Sequence, residues 1–320
     1  MSISRRAALA LPALLSARGA PAQAQTSSPW PTRTVRIIVP FTPGGAADIA
    51  ARLLSEALTP KWGQPVVVEN RAGANGIIGT DVVAKAPPDG HTLACTSIVH
   101  AVNAPLYRTP YDVLRDVPAI TVLYQVPIVL VVAPDFPANS VADLVRIAKD
   151  TPARATCVGT GGLYCAMFNM LTGAEVEQIP YRGSTAAHPD LMAGRVAFMV
   201  DTLPAALGHI QTGKLKALAV PSRERLAALP DVPTMAEAGY PDFIASTWGA
   251  LLGPAGLPAA LAGRIATDAA EALRAPAMRE RMAALGAEVV GSPPAEAQGF
   301  VRGEVERWTR VAQSARIERQ

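Results

Sequence analysis

Aromatic residues are scarce, 5% of the 320 positions, so the stacking platforms that hold single-stranded nucleic acid are missing. An excess of one charge is missing too. There are 29 Lys plus Arg against 26 Asp plus Glu, and Arg5, Arg6 and Arg18 all fall in the first 24 residues, which hold no acid. The rest of the chain is balanced, and a basic footprint for nucleic acid or anionic lipid is excluded. The four histidines, His91, His100, His188 and His209, show no ligand spacing, so no metal site is expected. Three cysteines are too few for a disulfide framework. Beyond the N-terminus no apolar run is long enough to span a bilayer. The longest, residues 126–133, is β-branched and reads as a buried strand, so no membrane insertion is expected.

Enzyme signatures are absent as well. Gly159-x-Gly161-Gly162 lacks the third spaced glycine of a dinucleotide fingerprint, and no Walker lysine follows a Gly-rich loop. Gly183-Ser184 is followed by Thr185-Ala186, which is no nucleophile elbow. No cofactor is expected. Dispersed catalytic residues leave no local signature, so a periplasmic enzyme acting on a small organic acid stays open as the alternative function.

What is present is an apolar chain, 50% hydrophobic, too apolar for disorder and long enough for two domains. It opens like an export signal. Ser4-Arg5-Arg6 forms the charged region, residues 7–17 are mildly apolar, and Ala22-Gln23-Ala24 is an A-x-A cleavage site. A cleavable signal peptide over 1–24 and a periplasmic location follow. Ser-Arg-Arg-x-x-Leu is similar to the twin-arginine export motif, with Ala8 where Phe is usual; the general export route is the alternative. An oxidising compartment permits disulfides. Cys157 and Cys165 are close enough to pair across a short loop, and buried free thiols are the other reading. Cys95 reads as a core strand residue.

After that the chain alternates strand, turn and helix. Strands are expected at 33–40, 65–69, from 91, and at 126–132, 155–158, 176–181, 195–200 and 215–220. The first helix should bury Ile49, Leu53, Ala57 and Leu58, and Ser140 should cap another carrying Val141, Leu144, Val145 and Ala148. Three helical stripes close the chain: Leu261, Ile265, Ala269 and Ala272; Met278, Met282 and Leu285; and Val301, Val305, Trp308 and Ala312. This punctuation predicts an α/β fold with doubly wound, mostly parallel sheets in two lobes. Gly-rich loops between strands and helices expose free helix N–H groups and about half a positive charge, which suits an anion. Glu175 and Glu177, near a turn, read as solvated rather than catalytic.

Many ordered segments then carry a resemblance. They include Pro40-Phe-Thr-Pro-Gly-Gly-Ala-Ala-Asp48, Glu69-Asn-Arg-Ala-Gly-Ala-Asn-Gly-Ile-Ile-Gly79, Val83-Ala-Lys-Ala-Pro-Pro-Asp-Gly-His-Thr-Leu93 and Ser97-Ile-Val-His-Ala-Val-Asn103. Later come Pro180-Tyr-Arg-Gly-Ser184, Asp190-Leu-Met-Ala-Gly-Arg-Val196, Gly213-Lys-Leu-Lys-Ala-Leu-Ala219 and Leu229-Pro-Asp-Val-Pro-Thr-Met-Ala-Glu-Ala-Gly239. Over residues 30–308 the chain resembles the Bug/TctC family, the extracytoplasmic solute-binding proteins of tripartite tricarboxylate transporters.

The resemblance implies a two-lobed, type II-like periplasmic-binding-protein fold whose central cleft closes on a small carboxylate. Lobe 1 would be discontinuous, 30–124 plus 247–320, and lobe 2 would span 125–246. The ligand would meet Thr42, Gly44, Gly45, Ala46 and Asp48 of the first loop, and Ser97, His100 and Asn103 after a neighbouring strand. Lobe 2 would add Gly159, Thr160, Gly161, Gly162 and Tyr164, then Tyr181, and the strand end Asp201-Thr202, with Arg182 nearby. Asp48 is expected to order its loop rather than touch an anion. Implied partners are the transporter's membrane subunits or a sensor, and the protein is expected to be a monomer.

One segment departs from the family. A Ser-x-Gly-x-Gly-Ser-x-x-His stretch is common there; here it reads Cys157-Val-Gly-Thr-Gly-Gly-Leu-Tyr-Cys165. The glycines remain, but the Ser, Ser and His positions hold Cys157, Gly162 and Cys165. This favours a monocarboxylate with an aromatic or aliphatic body over citrate. In the competing reading Leu163 and Tyr164 point into the lobe core and leave the cleft unaffected.

Overall fold

The computed structural model describes residues 30–152, 155–159, 162–181 and 184–319; the expected signal segment 1–24, Thr160, Gly161 and Arg182 lie outside them. The first strand, β1 (Val35–Val39), is almost uniformly buried, as a parallel strand covered on both faces should be. It leads through a Gly-rich turn into α1 (Ala46–Trp62), then β2 (Val66–Asn70), a 3-10 turn at Ala74–Gly76, α2 (Ile77–Ala84) and β3 (Thr92–Ser97). Cys95 is a buried residue of β3, as expected. α1 buries Ala47, Ala50, Ala51, Leu54, Leu58 and Trp62 together with Leu53. Its core face is therefore turned from the expected one, and Ile49 and Ala57 are only half-buried. Small alanines let this helix sit close to the sheet, so its inner face is read by size rather than by hydrophobicity alone.

α3 (Val99–Leu106) precedes β4 (Ala119–Val132), which is twice the length expected from the apolar run at 126–132. Its first half carries Thr121, Tyr124 and Gln125, which mask it in a hydropathy reading, yet Thr121 and Tyr124 are buried. Next come α4 (Val141–Asp150), β5 (Thr156–Gly159), α5 (Leu163–Thr172), β6 (Glu177–Gln178), α6 (Ser184–Met192), β7 (Phe198–Thr202), α7 (Leu203–Gln211) and β8 (Lys216–Ala219). The chain ends with β9 (Ser246–Leu252), α8 (Ala259–Arg274), α9 (Pro276–Ala284), β10 (Glu288–Val289) and α10 (Pro294–Ser314). Ser140 caps α4 by accepting from the Asp143 N–H. β6 is shorter than expected: Pro180 has no N–H for the ladder, and pairing fades after Ile179 N donates to Cys157 O. Glu175 and Glu177 are exposed.

The strands run in the order β2-β1-β3-β9-β4-β7-β5-β6, with β8 and β10 both pairing β4. β2-β1-β3 and β6-β5-β7 are each parallel. Every antiparallel ladder involves β4 or β9. The expected doubly wound α/β architecture is therefore present as two parallel blocks joined through two long strands.

The registers place the ends of the blocks. Ser97, the last residue of β3, pairs Gly249, and Gly249 pairs Tyr124 of β4. Thr202, the last residue of β7, pairs Ile128 of β4. β3 runs alongside β4 toward that point, and β7 runs back against it, so the C-terminal ends of the two blocks face each other. They are separated by four residues of β4, roughly 13 Å at ~3.3 Å per residue. At this junction Gly249 is required: a Cβ there would stand 2.3 Å from the Tyr124 ring.

α10 packs behind the junction. Glu304, buried, accepts from Trp248 Nε1 of β9 at 3.0 Å and from Trp308 Nε1 at 3.2 Å, and pairs with Arg307. A carboxylate at that depth is stable only because its acceptor sites are filled. Of the expected stripe, Val301, Trp308 and Ala312 are buried and Val305 is half-buried.

Candidate functional site

Where parallel strands hand over to helices, N–H groups lie unpaired at the sheet's carboxyl edge, the usual ligand position of open α/β sheets. Here two such edges face each other. On the first, Gly44 has a φ of 94°, which only glycine takes without strain, and Gly45 starts α1. A Cβ at Gly45 would meet nothing within 4 Å, and its φ of −79° suits any residue. Neither packing nor backbone angle requires glycine here; it stands at the N-cap of α1, a position glycine commonly takes. Thr42, Gly44 and Gly45 are exposed and Ala46 half-exposed.

Asp48 is buried and holds this loop. Its Oδ2 accepts from Gly44 N at 2.9 Å and Arg52 Nε at 3.0 Å, and its Oδ1 accepts from Arg52 Nη2 at 3.0 Å and Asn70 Nδ2 at 2.9 Å. Burial alone would raise its carboxyl, but the Arg52, Gly44 and Asn70 hydrogen bonds bring it below the ordinary value. With its acceptors filled it orders the loop.

Ser97 is half-buried at the end of β3, and its Oγ accepts from Val99 N at the start of α3. His100 turns away into the core, where Nε2 donates to Val113 O at 2.9 Å. Burial pushes it down to about 4, so it is neutral. It is not placed to meet an anion at the strand end. Asn103, also buried, donates from Nδ2 to Asn75 O at 2.9 Å, and its Oδ1 has no partner.

On the second edge, β5 ends at Gly159 and α5 starts after Gly162. Both glycines stand in crowded positions. A Cβ at Gly159 would be 3.1 Å from Tyr164 Cβ, and one at Gly162, where φ is 76°, would strike Gln178 at 2.0 Å. Thr160 and Gly161 lie outside the described residues. Cys157 and Cys165 are joined, S–S 2.09 Å, so a disulfide bridges the strand before this loop to the helix after it. Leu163 and Tyr164 are buried. The Tyr164 ring meets Trp308 edge-on with centroids 5.6 Å apart, and its hydroxyl donates to Ser246 O at 3.3 Å. Burial pushes that phenol up.

Tyr181 is tied within its own half, donating to Asp190, which also binds Arg195. Asp201 is buried; its Oδ2 meets His188 Nε2 at 2.7 Å and its Oδ1 accepts from Thr202 N at 2.7 Å. Thr202 is half-exposed at the start of α7. The structure thus puts Ser97, Gly159 and Thr202 at the ends of β3, β5 and β7, and the loop at 42–46 between β1 and α1. It assigns Asp48, His100, Tyr164, Tyr181 and Asp201 to internal contacts. Among the described residues no cluster of three or more His, Cys, Asp or Glu is placed to hold a metal, and no helix is long and apolar enough to cross a membrane.

Sequence reasoning missed Asn70 and Arg52, whose partner Asp48 was recognised, and Asn75. Asn75 sits at φ 51° before Gly76, with Nδ2 donating to the Tyr107 hydroxyl at 2.6 Å. The Asn75-Gly76 pair in a Gly-rich turn is the available signal, since Asn tolerates this left-handed conformation.

A family model described as "Tripartite tricarboxylate transporter family receptor" matches residues 50–317. Protein BugT of Bordetella pertussis is 41% identical over 300 residues, 91% of each chain. The solved periplasmic binding protein BugD is 34% identical with a TM-score of 0.70, covering 91% of this chain and 100% of that one. R. palustris Rpa4515, solved with adipate, is 36% identical with a TM-score of 0.72, covering 91% of this chain and 100% of that one.

Proposed function

Because the chain belongs to the tripartite tricarboxylate transporter receptor family, we propose that it is an extracytoplasmic solute-binding protein that captures a small organic carboxylate between the two facing sheet edges. The observation that carries this reading is the paired arrangement of helix N-termini at those edges, with open room at Gly45 that protein packing does not use. One carboxylate, held by N–H groups after Gly44 on one side and by the Gly159–Gly162 loop and Thr202 on the other, would tie the two halves together. Adipate in Rpa4515 supports a carboxylate as the ligand class.

The two halves act as closing lobes, 30–124 plus 247–320 and 125–246, hinged where β4 and β9 run between the parallel blocks. The protein returns its ligand unchanged; it is a receptor, and catalysis is no part of its role. It works in the periplasm after residues 1–24 are removed, and passes ligand to the transporter's membrane subunits, or reports it to a sensor, through a weak and transient contact. Thermal unfolding against a panel of mono-, di- and tricarboxylates tests the reading. A true ligand at 100 times its Kd adds about 2.7 kcal/mol; a panel without any stabilising acid overturns it.

A further inference from the structure

Each of the two parallel blocks buries one carboxylate beside its strand ends, and the two differ in what neutralises it. Asp48, in the first turn of α1, pairs with Arg52, a cation at every working pH. Asp201, in β7, is 2% exposed and pairs with His188 of α6, itself 4% exposed; Oδ2 and Nε2 are 2.7 Å apart. The other Asp201 oxygen accepts from Thr202 N at 2.7 Å, and Thr202 is the N-cap of α7. The carboxylate therefore stands at the carboxyl end of β7 and at the positive end of a helix. A buried carboxylate without a counter-charge is costly, and a histidine supplies one only while it holds its second proton. His209 of α7, half-buried, meets the His188 ring edge-on with centroids 4.8 Å apart. Further along α6, Asp190 is committed to Tyr181 and Arg195.

We propose that His188 is a positioning residue for carboxylate capture, acting through Asp201 to set the net charge at the end of β7. With His188 protonated, the pair is neutral and the positive end of α7 is open to a ligand anion. With His188 neutral, Asp201 occupies that end and repels a second carboxylate. The inference rests on the carboxylate-receptor reading and adds a regulation to that site. The sign follows from linkage: an anion near Asp201 favours the protonated histidine, so binding takes up a proton and affinity falls as pH rises. One histidine exchanges no more than one proton, which limits the change to about ten-fold per pH unit. The Asp48–Arg52 pair gives the first block no such dependence. A hydrogen bond that merely locked α6 to β7 would leave the pH profile flat.

Isothermal titration of the mature protein with adipate, malate, benzoate and citrate at about pH 6 and about pH 8.5, on either side of ordinary histidine titration, tests this. An acid that binds should do so about ten-fold tighter at the lower pH. His188→Gln keeps a donor for Asp201 and has no titration, so it should hold the high-pH affinity of the parent at both pH values. Comparing parent with variant cancels the ligand's own ionisation. His209→Gln should keep the parent's pH response. Should His188→Gln not fold, titration of the parent in two buffers of unlike ionisation enthalpy reads the proton uptake directly. The same pH response in parent and His188→Gln, a response lost in His209→Gln instead, or binding without proton uptake overturns the proposal and leaves the receptor reading intact. No binding of any of the four acids at either pH overturns both.

Discussion

Removing the Cys157–Cys165 bridge should release the segment between β5 and α5 and lower global stability by an amount that can be worked out. The two cysteines are 8 residues apart in sequence and both are buried. In the chain-entropy account, releasing a loop of that length gives the unfolded chain about 2.5 kcal/mol of extra freedom at 25 °C. The double variant Cys157→Ala/Cys165→Ala should therefore melt about 5–10 °C below the parent, from ~2–4 °C per kcal/mol for chains somewhat shorter than this one. Gly159 and Gly162 stand inside the bridged segment, so the same variant should bind a verified carboxylate more weakly, because the loop must now be ordered on binding. Circular dichroism melting measures the first effect and calorimetric titration the second. A thiol count on unreduced, denatured parent protein checks the premise: only Cys95 should react. Three reactive thiols, or a double variant that melts within about 1 °C of the parent, would refute the reasoning.

Further outcomes follow from the same contacts. Gly45→Ala should leave unfolding free energy within about 1 kcal/mol of the parent, because its Cβ meets nothing, yet weaken carboxylate binding clearly; unchanged affinity in titration would place the anion elsewhere. His100, held down to about 4 by burial, is neutral in the fold and takes a proton in the unfolded chain from about pH 6.5 downward. Its contribution is present above pH 6.5 and is lost as pH falls toward 4, about 3 kcal/mol in all; urea midpoints of His100→Asn should lack that part of the acid slope. Glu304→Leu strips the acceptor from two buried tryptophan N–H groups and from Arg307, so it should cost about 3 kcal/mol in urea unfolding; parent-like stability would show that this buried carboxylate does not hold β9 to α10.

Strand and helix order was legible wherever local chemistry decided it. The buried run of β1, the Ser140 cap and the stripe Val301, Trp308, Ala312 all carry their signal within a few residues. β4 was half visible, since its first half spends Thr121, Tyr124 and Gln125 on a strand buried by long-range pairing with β9. The loop at 42–48 could be read as the break between β1 and α1, because Thr42-Pro-Gly-Gly ends a strand and precedes a helix start. His100 and Asp201 could not be placed, because a polar residue near a strand end has two directions available. The partners that chose the inward one, Val113 O and His188, lie 13 residues away in each case. Asn103 was legible as a residue of the region, while its unpaired oxygen follows only from the packing of α3 against Asn75.

The central claim is that the chain binds a small carboxylate and releases it unaltered. Isothermal titration calorimetry of the mature protein against a broad panel of small carboxylates tests both halves at once. The account predicts saturable binding of at least one acid at one site per chain, with the heat signal returning to baseline after every injection. Sustained heat flow that scales with substrate would reveal turnover, and a panel without any saturable heat would remove the ligand; either result contradicts the account.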